Sequence, residues 1–266
     1  LKFLVVSLVL VSVVPNSVFA QKVNKKTVKA DKAFEAEEYF KASELYKKAY
    51  KKTKNRALKA EITFKQAECY RLSGNTKRAE SYYKRAVKSK YPDLIVYLRY
   101  ADMLMINGKY EEALEQYNLY SNKNPTDIRG EKGVKSCQFA VNWMKNPTRY
   151  IIEQMPVVNS RHNDFSPAFG NRDYSEIYFV SSRSGSSNGK IDERTGEFFT
   201  DIYNTKLDKK GKWSIPKAEL DPINSESHEG TLCLNENGTT MYFTTCKVEN
   251  KKASYCGISV SQRRGK

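Results

Sequence analysis

His162, Asp164 and Ser166 bring a base, a carboxylate and a hydroxyl close together in the sequence. Nucleophilic hydrolysis needs those types arranged so that the carboxylate orients the imidazole and the imidazole takes the hydroxyl proton. Here they alternate along what reads as a turn entering a strand, and residues so placed do not converge on one atom. They are read as structural. Neither a nucleophile elbow, a phosphate-binding loop nor a zinc-protease helix is expected. His162 and His228, the two histidines of the chain, stand far apart in turn-like contexts, and no C-x-x-C spacing accompanies them. No metal and no other cofactor is therefore expected.

Binding chemistry is written more plainly. The formal charge of +16 is concentrated, because residues 21–150 hold 29 Lys and Arg against 15 Asp and Glu. Lys47, Lys48 and Lys51 recur one unit later as Lys84, Arg85 and Lys88, which predicts a basic stripe on the convex side of a helical array. Such a stripe is either a solvated face or a docking surface for an anionic partner, an acidic protein or a phosphate-bearing lipid headgroup. Nucleic acid is not an expected partner of an exported chain. Of five cysteines, Cys69 and Cys137 fall in helical segments and read as buried thiols. Cys246 and Cys256 flank a Lys-rich turn between two strand-like runs and form a candidate disulfide.

Export is read from Lys2, the apolar run Phe3 to Val14, Pro15 and the small-residue end Val18-Phe19-Ala20. This predicts a signal peptide over residues 1–20, since the apolar run is short of the ~20 residues that span a bilayer. Position 21 is Gln, so the acylated cysteine of a lipoprotein is missing there. Leu1 in place of Met reads as an unusual start codon or a fragment.

The elements that must position these residues come in two kinds. Tyr39-x-x-Ala42 with Tyr46 and Ala49 returns as Ala79, Tyr83 and Ala86, and again as Tyr110-x-x-Ala113 with Tyr117. Ala67, Tyr70 and Gly74, then Ala101 and Gly108, supply the small, aromatic and turn-glycine positions of the same unit, which Pro125 closes. Ala79 and Ala113 are 34 residues apart, and ~34 is the tetratricopeptide-repeat (TPR) period. On these residues the segment 21–127 resembles the TPR family, with departures at Ala33, Glu37 and Thr76. The resemblance implies an all-α superhelix whose A helices make a concave peptide-binding face carrying Phe64, Glu68, Arg71, Leu98, Asp102 and Met105. Thr126 to Lys145 reads as a further helix, so that 128–147 forms a capping helix and linker; Gly130 and Gly133 are expected to weaken its first turn.

From Tyr150 the hydrophobic period shortens to that of a strand. Asn159-Ser160 with His162 and Asp164-Phe165-Ser166-Pro167, then Ile177 to Arg183, looks like a first copy of a unit. Asn224-Ser225 with His228 and Glu229-Gly230, then Met241 to Thr245, looks like a second, and a polar insertion from Ser184 to Glu197 lengthens the first. Asn237-Gly238-Thr239, formally a glycosylation acceptor, reads as a hairpin turn. The segment 148–266 resembles the TolB-like, WD-related repeat, which implies all-β structure and the first blades of an incomplete β-propeller. A propeller needs at least ~4 blades, so the chain reads as the N-terminal part of a longer protein.

The order of segments resembles OmpA-family envelope proteins of Bacteroidota associated with type IX secretion. That resemblance implies a non-catalytic, periplasmic, outer-membrane-associated scaffold linking outer-membrane or secretion-machinery proteins to the cell wall. Peptidoglycan would be reached only through an OmpA-type domain that this sequence does not contain. The alternative is a propeller-based receptor for a sugar or peptide and, behind it, a propeller hydrolase.

Overall fold

The computed structural model describes residues 25–187, 189–249 and 252–263, without the side chains of 248, 249 and 252–254. The expected signal peptide lies outside the described residues. Six helices form three antiparallel pairs: α1 (Val28–Glu35) with α2 (Tyr39–Lys52), α3 (Arg56–Leu72) with α4 (Thr76–Lys88), and α5 (Ile95–Ile106) with α6 (Tyr110–Lys123). Helix α7 (Ile128–Lys145) closes the series. Ala42, Ala67, Ala79, Ala101 and Ala113 have no exposed surface, which lets the helices approach closely. Asn55, Asn75 and Asp127 cap α3, α4 and α7 through their side chains.

Each pair turns through one left-handed residue. Gly74 and Gly108 have φ of +80° and +76°, and Glu37 takes φ +60° at the same place in the first pair. The backbone demands the turn even where a side chain makes it cost about 1–2 kcal/mol. Gly130 and Gly133 have a packing role in α7. A Cβ on Gly133 would run into the Tyr117 ring, and one on Gly130 would stand 3.0 Å from Ser121 Cβ, so the missing side chains are what let α7 seat on α6.

The β half begins with a meander of β1 (Asp164–Phe169), β2 (Glu176–Ser181), β3 (Asp201–Lys206) and β4 (Lys217–Ala218), antiparallel throughout. A second antiparallel sheet holds β5 (His228–Leu234), β6 (Thr240–Glu249) and β7 (Lys252–Gln262). Tyr178, Val180 and Ile202 of the first sheet pack on Leu232, Met241 and Phe243 of the second. The far side of the first sheet, with Phe179 and Tyr203, is covered by Met155, Val158 and Trp213. Cys246 and Cys256 are directly opposed on β6 and β7 and joined as a disulfide.

The two sheets repeat one lead-in. Ser160 N–H donates to Asp164 at 2.5 Å, and Ser225 N–H donates to Glu229 at 3.2 Å. The two serine hydroxyls accept from the amides of His162 and Ser227, at 3.0 and 3.1 Å. Both sheets then carry a bulge at the matching place, between Phe165 and Ala168 and between Gly230 and Leu232. This register sets Ser227, not His228, at the position of His162. Asn224 is buried and bonds Ile202 N and O at 2.8 and 2.9 Å, tying the second lead-in to β3.

Candidate interaction surfaces

Three B-helix tyrosines reach back to A-helix carboxylates. Tyr46 donates to Asp31 at 2.6 Å, Tyr83 to Glu68, and Tyr117 to Asp102 at 2.8 Å, each pair separated by 15 residues. Burial and the adjoining carboxylate push all three phenols well above their ordinary range, so they remain donors. Cations pair with the acids: Lys65 reaches Asp31 of the preceding repeat at 2.7 Å, while Arg71 and Arg99 bond Glu68 and Asp102 of their own helices at 2.6 and 3.5 Å, and Arg99 also approaches Glu68 at 4.0 Å. Burial opposes ionisation of Asp31, but the bonds from Lys65 and Tyr46 hold it below the usual carboxylate range.

This ladder runs along the A helices, where the sequence places the concave face. Arg71 and Asp102 are rungs of it, and Phe64 stacks on Tyr91 with ring centroids 4.4 Å apart. Leu98 is a correction: only 2% exposed, it belongs to the core of the second and third repeats and cannot line a face. The ladder itself escaped the sequence reading, although a carboxylate 15 residues before each B-helix tyrosine is a visible signal.

The basic residues lie on the exposed side of the B helices. Lys47, Lys48 and Lys51 project from α2, and Lys84, Arg85 and Lys88 from α4. Arg85 sits 4.7 Å from the Tyr82 ring centroid and 5.9 Å from that of Tyr50, so it bridges the two B helices. Lys47 makes a loose pair with Glu44 at 3.7 Å. Among the described residues Lys48, Lys51, Lys84 and Lys88 have no carboxylate partner.

The polar insertion joins the two halves. Glu38, at the N-cap of helix α2, makes no side-chain cap, and the amides of Phe40 and Lys41 are satisfied from the β half instead. Phe40 and Lys41 N–H donate to Glu193 O at 3.0 and 3.4 Å. The insertion doubles back as a small hairpin, with Ile191 opposite Phe198 and Asp192 N–H bonded to Glu197 O. Gly196 at its tip, φ +80°, lies so close to Phe40 that a Cβ would enter the ring. Lys41–Glu193 at 2.9 Å and Arg194–Glu37 at 3.3 Å flank this contact.

Both histidines meet at the root of that hairpin, beside a cleft of about 570 Å³ that also includes Ser73 of the α3–α4 turn. His162 Nδ1 bonds Glu197 at 2.7 Å. His228 Nδ1 accepts from Thr200 N–H at 3.2 Å, and Nε2 points toward Asp192 at 3.9 Å. Burial pushes the His228 imidazole below its ordinary value, against the pull of Asp192 and Asp201. The sequence separates these rings, while the fold brings them to one cleft. Asp164 does not join His162; it accepts from Ser181 and Arg183, both at 2.6 Å, while Ser166 Oγ lies 3.4 Å from Thr231.

One string with the spacing of a nucleophile elbow does occur, contrary to expectation: Gly185-Ser186-Ser187-Asn188-Gly189. Ser187 Oγ donates to Asp201 at 2.8 Å and meets no histidine. Among the described residues no three His, Cys, Asp or Glu side chains are grouped to hold a metal.

Residues 27–95 and 73–127 match the family model described as tetratricopeptide repeat. Tetratricopeptide repeats thus occupy residues 27–127. No curated protein matches the chain. Among solved structures, the chain is similar to the UNC-45 chaperone, described as binding and folding muscle myosin, with 20% identity and a TM-score of 0.42 over 46% of this chain and 14% of that one. It is also similar to the Sgt2 TPR domain of Aspergillus fumigatus, with 17% identity and a TM-score of 0.40 over 49% and 86% of the two chains. The first TPR domain of human RPAP3 gives 21% identity and a TM-score of 0.39 over 46% and 94%.

Proposed function

We propose that this chain, with tetratricopeptide repeats over residues 27–127, is an exported interaction scaffold. It works in the periplasm at the outer membrane and links outer-membrane or secretion-machinery proteins to the cell wall. Repeats of this type typically serve as non-catalytic protein-binding modules. The observation that carries the reading is the clasp: the β half caps helix α2 of the array through Glu193, so a partner held by the helices is fixed relative to whatever the β half contacts.

Partner docking falls to the basic stripe of Lys47, Lys48, Lys51, Lys84, Arg85 and Lys88, whose charges are mostly unneutralised among the described residues. The β half is the opening of a TolB-like propeller on this reading. The repeated lead-in and bulge support that, as does the far side of the second sheet. There Tyr242 and Ile258 are exposed at the positions where the first sheet buries Tyr178 and Ile202. Fractionation of the source cells tests the assignment. The chain should be recovered with outer membrane and peptidoglycan and begin at Gln21, whereas recovery in the cytoplasm with residues 1–20 retained would refute it.

A further inference from the structure

The surface of the array changes character at its last helix. Phe139 and Trp143 are one turn apart on α7, with ring centroids 5.4 Å apart, and are 62% and 56% exposed. Ile128 shares that side of the helix and is also exposed, and Tyr150, Ile151 and Ile152, exposed as well, follow the helix end in the chain. Two adjoining exposed aromatic rings with an isoleucine on the same side are a candidate contact surface.

The packing of the array points to what covers it. Helix α3 packs between α2 and α4, and α5 between α4 and α6. Helix α7 continues the series but packs on α6 and α5, with Gly130, Gly133 and Cys137 turned to them. Its outer side is thus the side on which each earlier A helix receives another helix. This side is also basic. Lys132 lies on it at helical spacing between Ile128 and Phe139, and Lys132, Lys145 and Arg149 are exposed and have no carboxylate partner among the described residues, while Lys135 is held by Glu131 at 2.5 Å.

We infer that the outer side of α7 is a docking site for an amphipathic α-helix of a partner protein, one with apolar residues at helical spacing and carboxylates beside them. The apolar spacing matches Ile128, Phe139 and Trp143, and the carboxylates answer Lys132, Lys145 and Arg149. A second copy of this chain does not fit, because it would bring two basic surfaces together. The site is separate from the B-helix stripe and does not depend on export.

Trp143 supplies the readout. With Trp213→Phe, it becomes the sole tryptophan of the full chain, which has two. The probe is a designed helical peptide with Leu at helical spacing and Glu on both flanks, beside a twin with Lys in place of Glu. The Glu peptide should shift Trp143 emission to the blue, with the Lys twin and the Phe139→Ser variant each weaker by at least about tenfold. Phe139 is exposed, so its replacement leaves the fold intact, and the twin peptide needs no variant at all. Equal affinity for the two peptides, or no binding of the Glu peptide, overturns the inference. So does a blue shift on raising protein concentration alone together with dimerisation in sedimentation, which would put a second copy on this side.

Discussion

Replacing Gly196 by Ala should release the clasp between the two halves, and Gly185→Ala is its natural control. Both glycines belong to the insertion and both have positive φ, +80° and +96°. A side chain therefore costs either site about 1–2 kcal/mol of backbone strain. Around Gly185 there is nothing within 4 Å of an added Cβ, whereas at Gly196 it meets the Phe40 ring. Relieving that overlap adds about 1–3 kcal/mol. The flanking ion pairs cannot resist it, because Lys41–Glu193 and Arg194–Glu37 are each about a third to more than half exposed, and such pairs contribute only about 0–1 kcal/mol. What gives way is the hydrogen bonding of Phe40 and Lys41 N–H to Glu193 O. Hydrogen exchange reads those amides directly. In Gly196→Ala they should exchange about 10- to 100-fold faster than in the parent, given that ~1.4 kcal/mol is tenfold. In Gly185→Ala they should be unchanged. Equal exchange in the two variants would refute the reasoning that the close approach at Gly196 joins the halves.

Tyr83→Phe removes the buried hydroxyl shared by Glu68 and Arg71 and should cost about 1.5–3 kcal/mol in urea unfolding; a loss below about 0.5 kcal/mol would contradict the ladder. Gly133→Ala should lower stability by about 1–3 kcal/mol, although Ala is the better helix former by about 1 kcal/mol, because its Cβ meets Tyr117. A rise in melting temperature would contradict it. Burial raises the Glu229 carboxyl to about 7 from 4.5. The unfolded chain gives up that proton first, so the contribution to stability is full below about pH 4.5 and lost as pH rises through about 7, by at most about 3 kcal/mol. Asp201, raised by the same burial, adds to the trend. Glu229→Gln should flatten the decline between pH 5 and pH 8, and an unaltered decline would contradict the assignment.

The repeat could be read because its markers are local. Ala42, Ala79 and Ala113 sit where helices touch, and the turn glycines recur with them, so the spacing along the chain carries the packing. Glu37 shows the limit of the letter: the residue departs from the pattern, yet the backbone takes the same left-handed turn. Leu98 was misplaced for a physical reason. Helix α5 is apolar nearly all round, through Val96, Leu98, Ala101, Met103 and Leu104, and only Arg99 and Asp102 mark its open side. The clasp had no local signature, since Lys41 and Glu193 are 152 residues apart. Its trace was negative, the missing cap at the start of α2. Likewise the meeting of His162 and His228 depends on two turns from different sheets closing on one hairpin, which no spacing records.

The central claim is that the chain binds a protein partner through its helical array. An affinity pull-down from cell envelopes tests it, using the full chain beside a variant carrying Lys47→Glu, Lys48→Glu, Lys84→Glu, Arg85→Glu and Lys88→Glu. All five side chains are exposed, so the variant keeps the fold. The account predicts that the parent captures a discrete outer-membrane or secretion-machinery protein, identified by mass spectrometry, and that the variant loses it. Capture of no such protein by the parent would contradict it.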